Sequence, residues 1–290
     1  LDESARVALT LRYVVGLPTA SLARSFLVSE ATMAKRLVRA KKKIAASRVP
    51  FEVPDRDLLA DSLDDVLKVV YVIYTQGHAA PTGELVRGDL CDEARWLAGT
   101  LCDLLPEEPE AWGLASLLAY TDARRPARLD ADGEVVLLRD QDRSRWDAEA
   151  IAAGRRLLAR ALALRRVGPY QLQAAIAGAH ASAPTFDDTD WRTIRRLYAV
   201  LARLEPSPIV SLNEAVAAAL SEGPESGLAL LSPIAEELDG YHYFHLARAD
   251  MLAATGERGA ARAAFDRALA LCENETERRT IARVAAERTP

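Results

Sequence analysis

Apolar residues recur at three- and four-residue steps along nearly the whole chain, with short breaks at Gly, Pro and Ser. That periodicity places one face of each segment in a core and the other in water, which predicts an all-α fold. Leu1 to Val15 reads as a first helix with Val7, Leu11, Val14 and Val15 inward. Thr19 to Leu27 follows, opened by Pro18 and Thr19. After a turn at Val28-Ser29, Ser29 can cap a helix from Glu30 to about Ala46, with Met33, Leu37, Ala40 and Ile44 on one face. Further helices are expected over Asp55–Thr75, Thr82–Leu105 and Pro109–Arg124. The run VVYVIYTQG should be buried all round, and Trp96 and Trp112 should join the core.

Two interruptions divide the pattern. Val49-Pro50-Phe51-Glu52-Val53-Pro54 carries two prolines, which favour an extended strap over a helix. Arg124 to Trp146 is rich in charge, and Asp130-Ala131-Asp132-Gly133 is a turn signal that predicts a small β-hairpin near 128–138. Its Asp130/Asp132 and Asp140/Asp142 pairs lack the Asn/Asp series and terminal Glu of a calcium loop. With Arg124, Arg125, Arg128, Arg139, Arg143 and Arg145 beside them, these acids read as an internal salt-bridge cluster. The expected organisation is a helix-turn-helix module over 1–47, a strap over 48–54, a helical connector over 55–147 and repeats over 148–290.

The repeats rest on spacing. RRLLARALAL, IRRLYAVLARLEP, PIAEEL and AAFDRALAL end at Leu164, Leu204, Leu238 and Leu271, which are 40, 34 and 33 residues apart. The tetratricopeptide period is ~34 residues. Gly256, Ala261, Phe265, Ala268 and Leu271 fit the second-helix pattern, whereas His245 and Arg248 stand where large apolar residues are usual. A tetratricopeptide-like right-handed solenoid with a protein-binding groove is therefore expected, and Asn213, Tyr241, Tyr243 and His245 would line it by register.

Charge sharpens the picture. Residues 1–50 hold ten Lys and Arg against three Asp and Glu, a net of +7; the other 240 hold 27 against 39, a net of −12. A helix-turn-helix with a basic outer face is suited to major-groove reading and phosphate neutralisation. Thr32, Lys35, Arg36, Arg39, Lys42 and Lys43 lie on the faces away from the apolar stripe. Cys91, Cys102 and Cys272 lack C-x-x-C spacing and read as buried free thiols of a reducing compartment. No apolar run nears the ~18 residues of a membrane span. His242-x-x-His245 shares a helix face without a third ligand in the sequence around it. No nucleophile with a base and orienting partner is legible, so no enzyme and no cofactor is expected.

The residues Leu11-Arg12-Tyr13, Gly16-Leu17, Leu22-Ala23, Val28-Ser29-Glu30, Thr32-Met33, Lys35-Arg36-Leu37 and Arg39-Ala40-Lys41-Lys42 closely resemble region 4 of the sigma-70 family, especially extracytoplasmic-function (ECF) sigma factors. With the Val-Pro-Phe strap, TDARRPAR, LRDQDRSRW and the repeats, the chain resembles the ECF group that carries a tetratricopeptide extension, group 42. That resemblance implies −35 promoter recognition in duplex DNA and binding to the β flap of RNA polymerase core. By helix face and family position it makes Glu30, Thr32, Lys35, Arg36 and Arg39 the candidates for base edges, and Arg24, Lys41, Lys42 and Lys43 the candidates for phosphate. It further implies a cytoplasmic, nucleoid-associated protein whose extension regulates initiation, and a small DGPF-type partner protein. Region 2 of such factors is not in these 290 residues, and the chain starts inside a helix, so an N-terminal part is expected to be missing. LuxR-type regulators use a similar V-S-x-x-T turn, and the alternative is a stand-alone regulator of that kind with sensory repeats.

Overall fold

A computed structural model describes residues 1–47, 56–80 and 82–289. Among these the regular structure is helical, as the periodicity predicts, and the strap expected at 48–54 lies outside the described residues. Contacts divide the chain into two compact units: residues 1–81 with 86–100, and residues 82–85 with 101–290.

The first unit contains α1 (Glu3–Tyr13), α2 (Thr19–Ser25), α3 (Glu30–Ser47), α4 (Arg56–His78) and most of α5 (Gly88–Leu104). Asp2 caps α1, its Oδ1 accepting from Ala5 N at 2.8 Å. Val7, Leu11, Leu22, Met33 and Leu37 close the small core between the first three helices. Two inward assignments are corrected here. Val14 is 80% exposed, because α1 ends at Tyr13 and the chain turns away. Ile44 is 51% exposed, since it lies a turn beyond Ala40, the last buried position of α3.

α4 packs on α1 within this unit, so the expected connector over 55–147 does not stand as one body. The half-exposed Arg6 guanidinium bonds the nearly buried Asp65 carboxylate, and Lys68 Nζ meets Glu3 Oε1 at 2.7 Å. The apolar stretch around Val70, Ile73 and Tyr74 is buried or half-buried throughout, as expected. Gly77 is needed where it is. A Cβ there would stand 2.8 Å from the Arg87 carbonyl oxygen and 2.9 Å from Cys91 N, so a side chain would push α5 away. Trp96 on α5 is 64% exposed, against its expected place in the core. Its helix buries Cys91, Ala94 and Ala98 instead, and Trp96 falls on the opposite side.

The second unit runs through α6 (Pro109–Asp122), α7 (Ala148–Ala163), α8 (Pro169–Ser182), α9 (Trp191–Leu204), α10 (Pro208–Glu222), α11 (Pro224–Leu231), α12 (His242–Ala254), α13 (Arg258–Leu271) and α14 (Glu275–Arg288). Helices pack mainly on their neighbours in sequence. α6 is the most enclosed, with Leu114, Ser116 and Leu118 fully buried against α7 and α8. Ser116 Oγ donates to Gly154 O at 2.8 Å, so the expected boundary at residue 147 does not separate two bodies. Glu110 accepts from the backbone N–H of Tyr170 (2.8 Å) and Gln171 (3.2 Å), closing the open start of α8. Burial pushes its pKa up, while these two donors and the Gln171 side chain pull the other way.

Gly256, at φ +87°, makes the turn between α12 and α13 that the repeat pattern requires. One repeat landmark is corrected. Leu238 is not a helix end: α11 stops at Leu231, a 3₁₀ turn covers Ser232–Ile234, and turns continue to Gly240. Pro233 cannot donate to the ladder, and Leu238 is nevertheless fully buried, in a turn. Trp112 is half-buried, its indole N–H donating to Pro106 O at 2.9 Å.

The expected hairpin near 128–138 reduces to one bridge, Leu129 with Val135, around an Asp130-capped turn. Several arginines of this stretch bind backbone carbonyls and aromatic rings. Arg143 donates to the carbonyls of His180 and Ala183 (2.7 Å) and lies 4.6 Å over the Trp146 ring. Arg145 donates to Pro126 O. Arg125 pairs with Asp122 at 3.0 Å, and Arg279 reaches Glu134 at 2.7 Å. Arg143→Ala would leave two carbonyls short of a donor, so urea denaturation should show a loss of about 1–3 kcal/mol.

Candidate nucleic-acid interface

The first unit builds a helix-turn-helix from α2 and α3. At the end of α2, Val28 N donates to Ala23 O (2.9 Å) and Leu27 N to Arg24 O (3.0 Å), the double bond of a helix C-terminus that ends in a left-handed residue. That residue is Leu27, at φ +51°, where glycine is usual. Ser29 then opens α3: its Oγ accepts from Thr32 N at 3.2 Å and lies 2.8 Å from Thr32 Oγ1. Ser29→Ala should cost about 1 kcal/mol, read as a lower thermal midpoint of this unit.

Met33, Leu37 and Ala40 bury one stripe of α3, which fixes the rotation of the helix. Thr32, Lys35, Arg36, Arg39, Lys42 and Lys43 are all exposed, and at ~100° per residue they fall within an arc of about 120°. From Thr32 to Lys43 that arc runs for about 16 Å, more than the ~12 Å width of a major groove. A shallow cleft of about 420 Å³ between the start of α1 and the second half of α3 is lined by Arg36, Arg39 and Lys43, with Asp2 opposite.

The remaining candidates stand apart from this arc. Glu30 and Lys41 are exposed but lie on the opposite flank of α3, and Lys41 Nζ sits 5.4 Å from the centroid of the Tyr13 ring. Arg24 is half-buried on α2. Between the basic arc and Lys41, the helix exposes Ala31, Ala34 and Val38, the last 54% exposed. Small apolar groups at this place suit thymine methyls. Their sequence signal was only that they miss the Met33–Leu37–Ala40 stripe.

The pattern of sigma-70 region 4 matches residues 1–44, which are α1, α2 and most of α3. The chain carries a sigma-70 region 4 domain. Region 4 is a DNA-binding domain of transcription factors, and its match ends before α4 begins. Residues 62–162 match a family of unknown function, DUF6596, which takes in parts of both compact units. An uncharacterized protein of Rhizobium meliloti (strain 1021) is 47% identical over 278 residues, covering 96% of this chain. The chain spans 66% of that relative's length.

Among the described residues no helix is long and apolar enough to cross a membrane. The three cysteines are free and buried, as their spacing predicted.

Proposed function

We propose that this chain acts in transcription initiation as part of an ECF-type sigma factor, with region 4 reading a −35 element and gripping the β flap of RNA polymerase core. The observation that carries this reading is the single basic arc of α3, exposed on a helix-turn-helix that matches sigma-70 region 4. In it Thr32, Lys35, Arg36 and Arg39 face base edges, while Lys42 and Lys43 neutralise phosphate. Glu30 and Lys41, on the opposite flank of α3, and Arg24, on α2, take supporting places away from the arc, Lys41 beside Tyr13.

The acidic helical extension is a regulatory and protein-binding arm in this reading. Its helices stack in sequence order, which suits a tetratricopeptide-like solenoid, and its concave side receives a small partner protein. A net of −12 against +7 gives the extension a physical means of competing with DNA for region 4.

Purified polymerase core incubated with the full chain tests the initiation role. Co-elution with core, reduced by exchanging exposed residues of α3 and α1, is expected. Salt-dependent duplex binding with no association to core would favour the stand-alone regulator instead.

A further inference from the structure

Three helix ends of the second unit bring one cluster of polar side chains together. His242 is the first residue of α12, Cys272 follows the last residue of α13, and Glu277 lies in the first turn of α14. His242 Nε2 lies 3.7 Å from Glu277 Oε2, Cys272 Sγ lies 4.0 Å from the same oxygen, and all three ligand atoms fall within 4.8 Å of one another. The imidazole of His242 and the carboxylate of Glu277 are only 17% and 15% exposed, and Cys272 is 4% exposed. Nε2 of His242 is itself buried and has no hydrogen-bond partner. A buried nitrogen lone pair beside a thiol and a carboxylate is costly unless something is bound there.

The surroundings hold this set in place. Tyr243 donates its hydroxyl to Glu277 Oε1, which leaves Oε2 to face His242 and Cys272. Asn274 Oδ1 accepts from Thr276 N (3.0 Å) and Glu277 N (3.2 Å), fixing the turn between the ligands of α13 and α14. Asn274 Nδ2 in turn donates to Gly83 O at 3.3 Å. An outer group that bonds one oxygen of a carboxylate while the other is offered inward is the arrangement that orients metal ligands.

The geometry points to a binding site for a zinc-class divalent transition metal, with His242 Nε2, Cys272 Sγ and Glu277 Oε2 as its three protein ligands and water completing a tetrahedron. Mixed N, S and O donors suit zinc or cobalt and not magnesium or calcium, which take oxygen. Metal bonds of about 2.0–2.3 Å bring tetrahedral ligands to within about 3.2–3.6 Å of one another, so from separations of up to 4.8 Å the side chains contract by about 1.3 Å at most. On binding, the Cys272 S–H bond breaks, its proton passes to solvent and the S–metal bond forms. The imidazole and the carboxylate contribute lone pairs, and no electron is transferred.

The titration behaviour agrees with this chemistry. Burial lowers His242 to about 4, so its ring is neutral and its lone pair available. Burial and the Glu277 charge raise Cys272 to about 11, so the thiol stays protonated until a cation arrives. Burial raises Glu277, while the Tyr243 hydrogen bond and the positive charge of Arg128 partly oppose that push. The ion would tie together α12, α13 and α14. Histidine spacing alone does not reveal the site, because His242 shares its helix face with His245, whose Nε2 lies 2.8 Å from Asp239 O.

The test uses the full chain, stripped by a chelator and titrated with Zn²⁺ or Co²⁺ alone. One equivalent is expected to stay bound through gel filtration. Cobalt should give a thiolate-to-metal charge-transfer band together with the visible bands of a four-coordinate ion. Cys272→Ser should abolish the charge-transfer band, and Tyr243→Phe should lower affinity about 10–100-fold. A stripped wild-type chain that takes up no metal and shows no such band overturns the proposal, and that outcome depends on no variant folding. A band that persists in folded Cys272→Ser also overturns it, because the thiolate would then be Cys91 or Cys102.

Discussion

Replacing Arg36 and Arg39 together by Ala is expected, on the proposed reading, to lower affinity for the promoter duplex by about 100-fold at moderate salt. Each guanidinium is exposed on the same arc of α3 and can make two hydrogen bonds to one guanine, worth about 1–3 kcal/mol of discrimination. Two such contacts at about 1.4 kcal/mol each give the hundredfold. The loss should be selective: the double variant binds promoter and unrelated duplex more nearly alike. Lys42→Ala with Lys43→Ala should behave differently, weakening all duplexes together and reducing the slope of log affinity on log salt by about 2. Fluorescence anisotropy over a salt series separates the two patterns. A uniform loss from the arginine pair and a selective loss from the lysine pair would reverse the assignment of the face.

Phe265→Ala will destabilise the C-terminal helices by about 3–5 kcal/mol. Phe265 is fully buried, and its ring packs with Ala249, Ala268, Ile281 and Val284, positions contributed by α12, α13 and α14. The alanines of this cluster, Ala249, Ala264, Ala268 and Ala285, cannot expand to fill the space, so the cavity term adds to the lost burial. Because the helices of this unit contact mainly their sequence neighbours, the damage should stay near the C-terminus. Hydrogen exchange should quicken over α12 to α14 and remain close to wild type in α6 and α7. Equal loss of protection across the whole unit would show that the helices unfold together.

Much of this molecule was legible from local pattern. The helix-turn-helix was readable because its signals are short-range: Ser29 before Glu30, a Met33–Leu37–Ala40 stripe, and charge on the remaining face. The turn at Gly256 was readable for the same reason. What escaped the sequence depends on distant partners. Trp96 faces water because its helix buries Cys91, Ala94 and Ala98 instead. α4 joins the first unit through Arg6 with Asp65 and Lys68 with Glu3, pairs separated by 59 and 65 residues. PIAEEL carries helical periodicity, yet Pro233 ends the hydrogen-bond ladder and the segment turns. The hairpin failed because the bridge between Leu129 and Val135 has no further pairing on either side. The His242, Cys272 and Glu277 set combines residues spread over 36 positions, with no motif spacing to announce it.

Within the candidate DNA-binding set, helix geometry sorts residues that the sequence grouped together. Thr32, Lys35, Arg36, Arg39, Lys42 and Lys43 share one arc, whereas Glu30 and Lys41 lie on the other flank. Arg24 belongs to a different helix and is half-buried.

Promoter reading by α3 is tested most directly by selecting duplexes from a random library with the full chain and polymerase core, in parallel for wild type and Arg36→Ala/Arg39→Ala. One short, non-palindromic motif is expected, enriched by wild type and lost or degenerate in the variant. Enrichment of two symmetric half-sites, or a motif unchanged by the two substitutions, would contradict a sigma-type role for this helix.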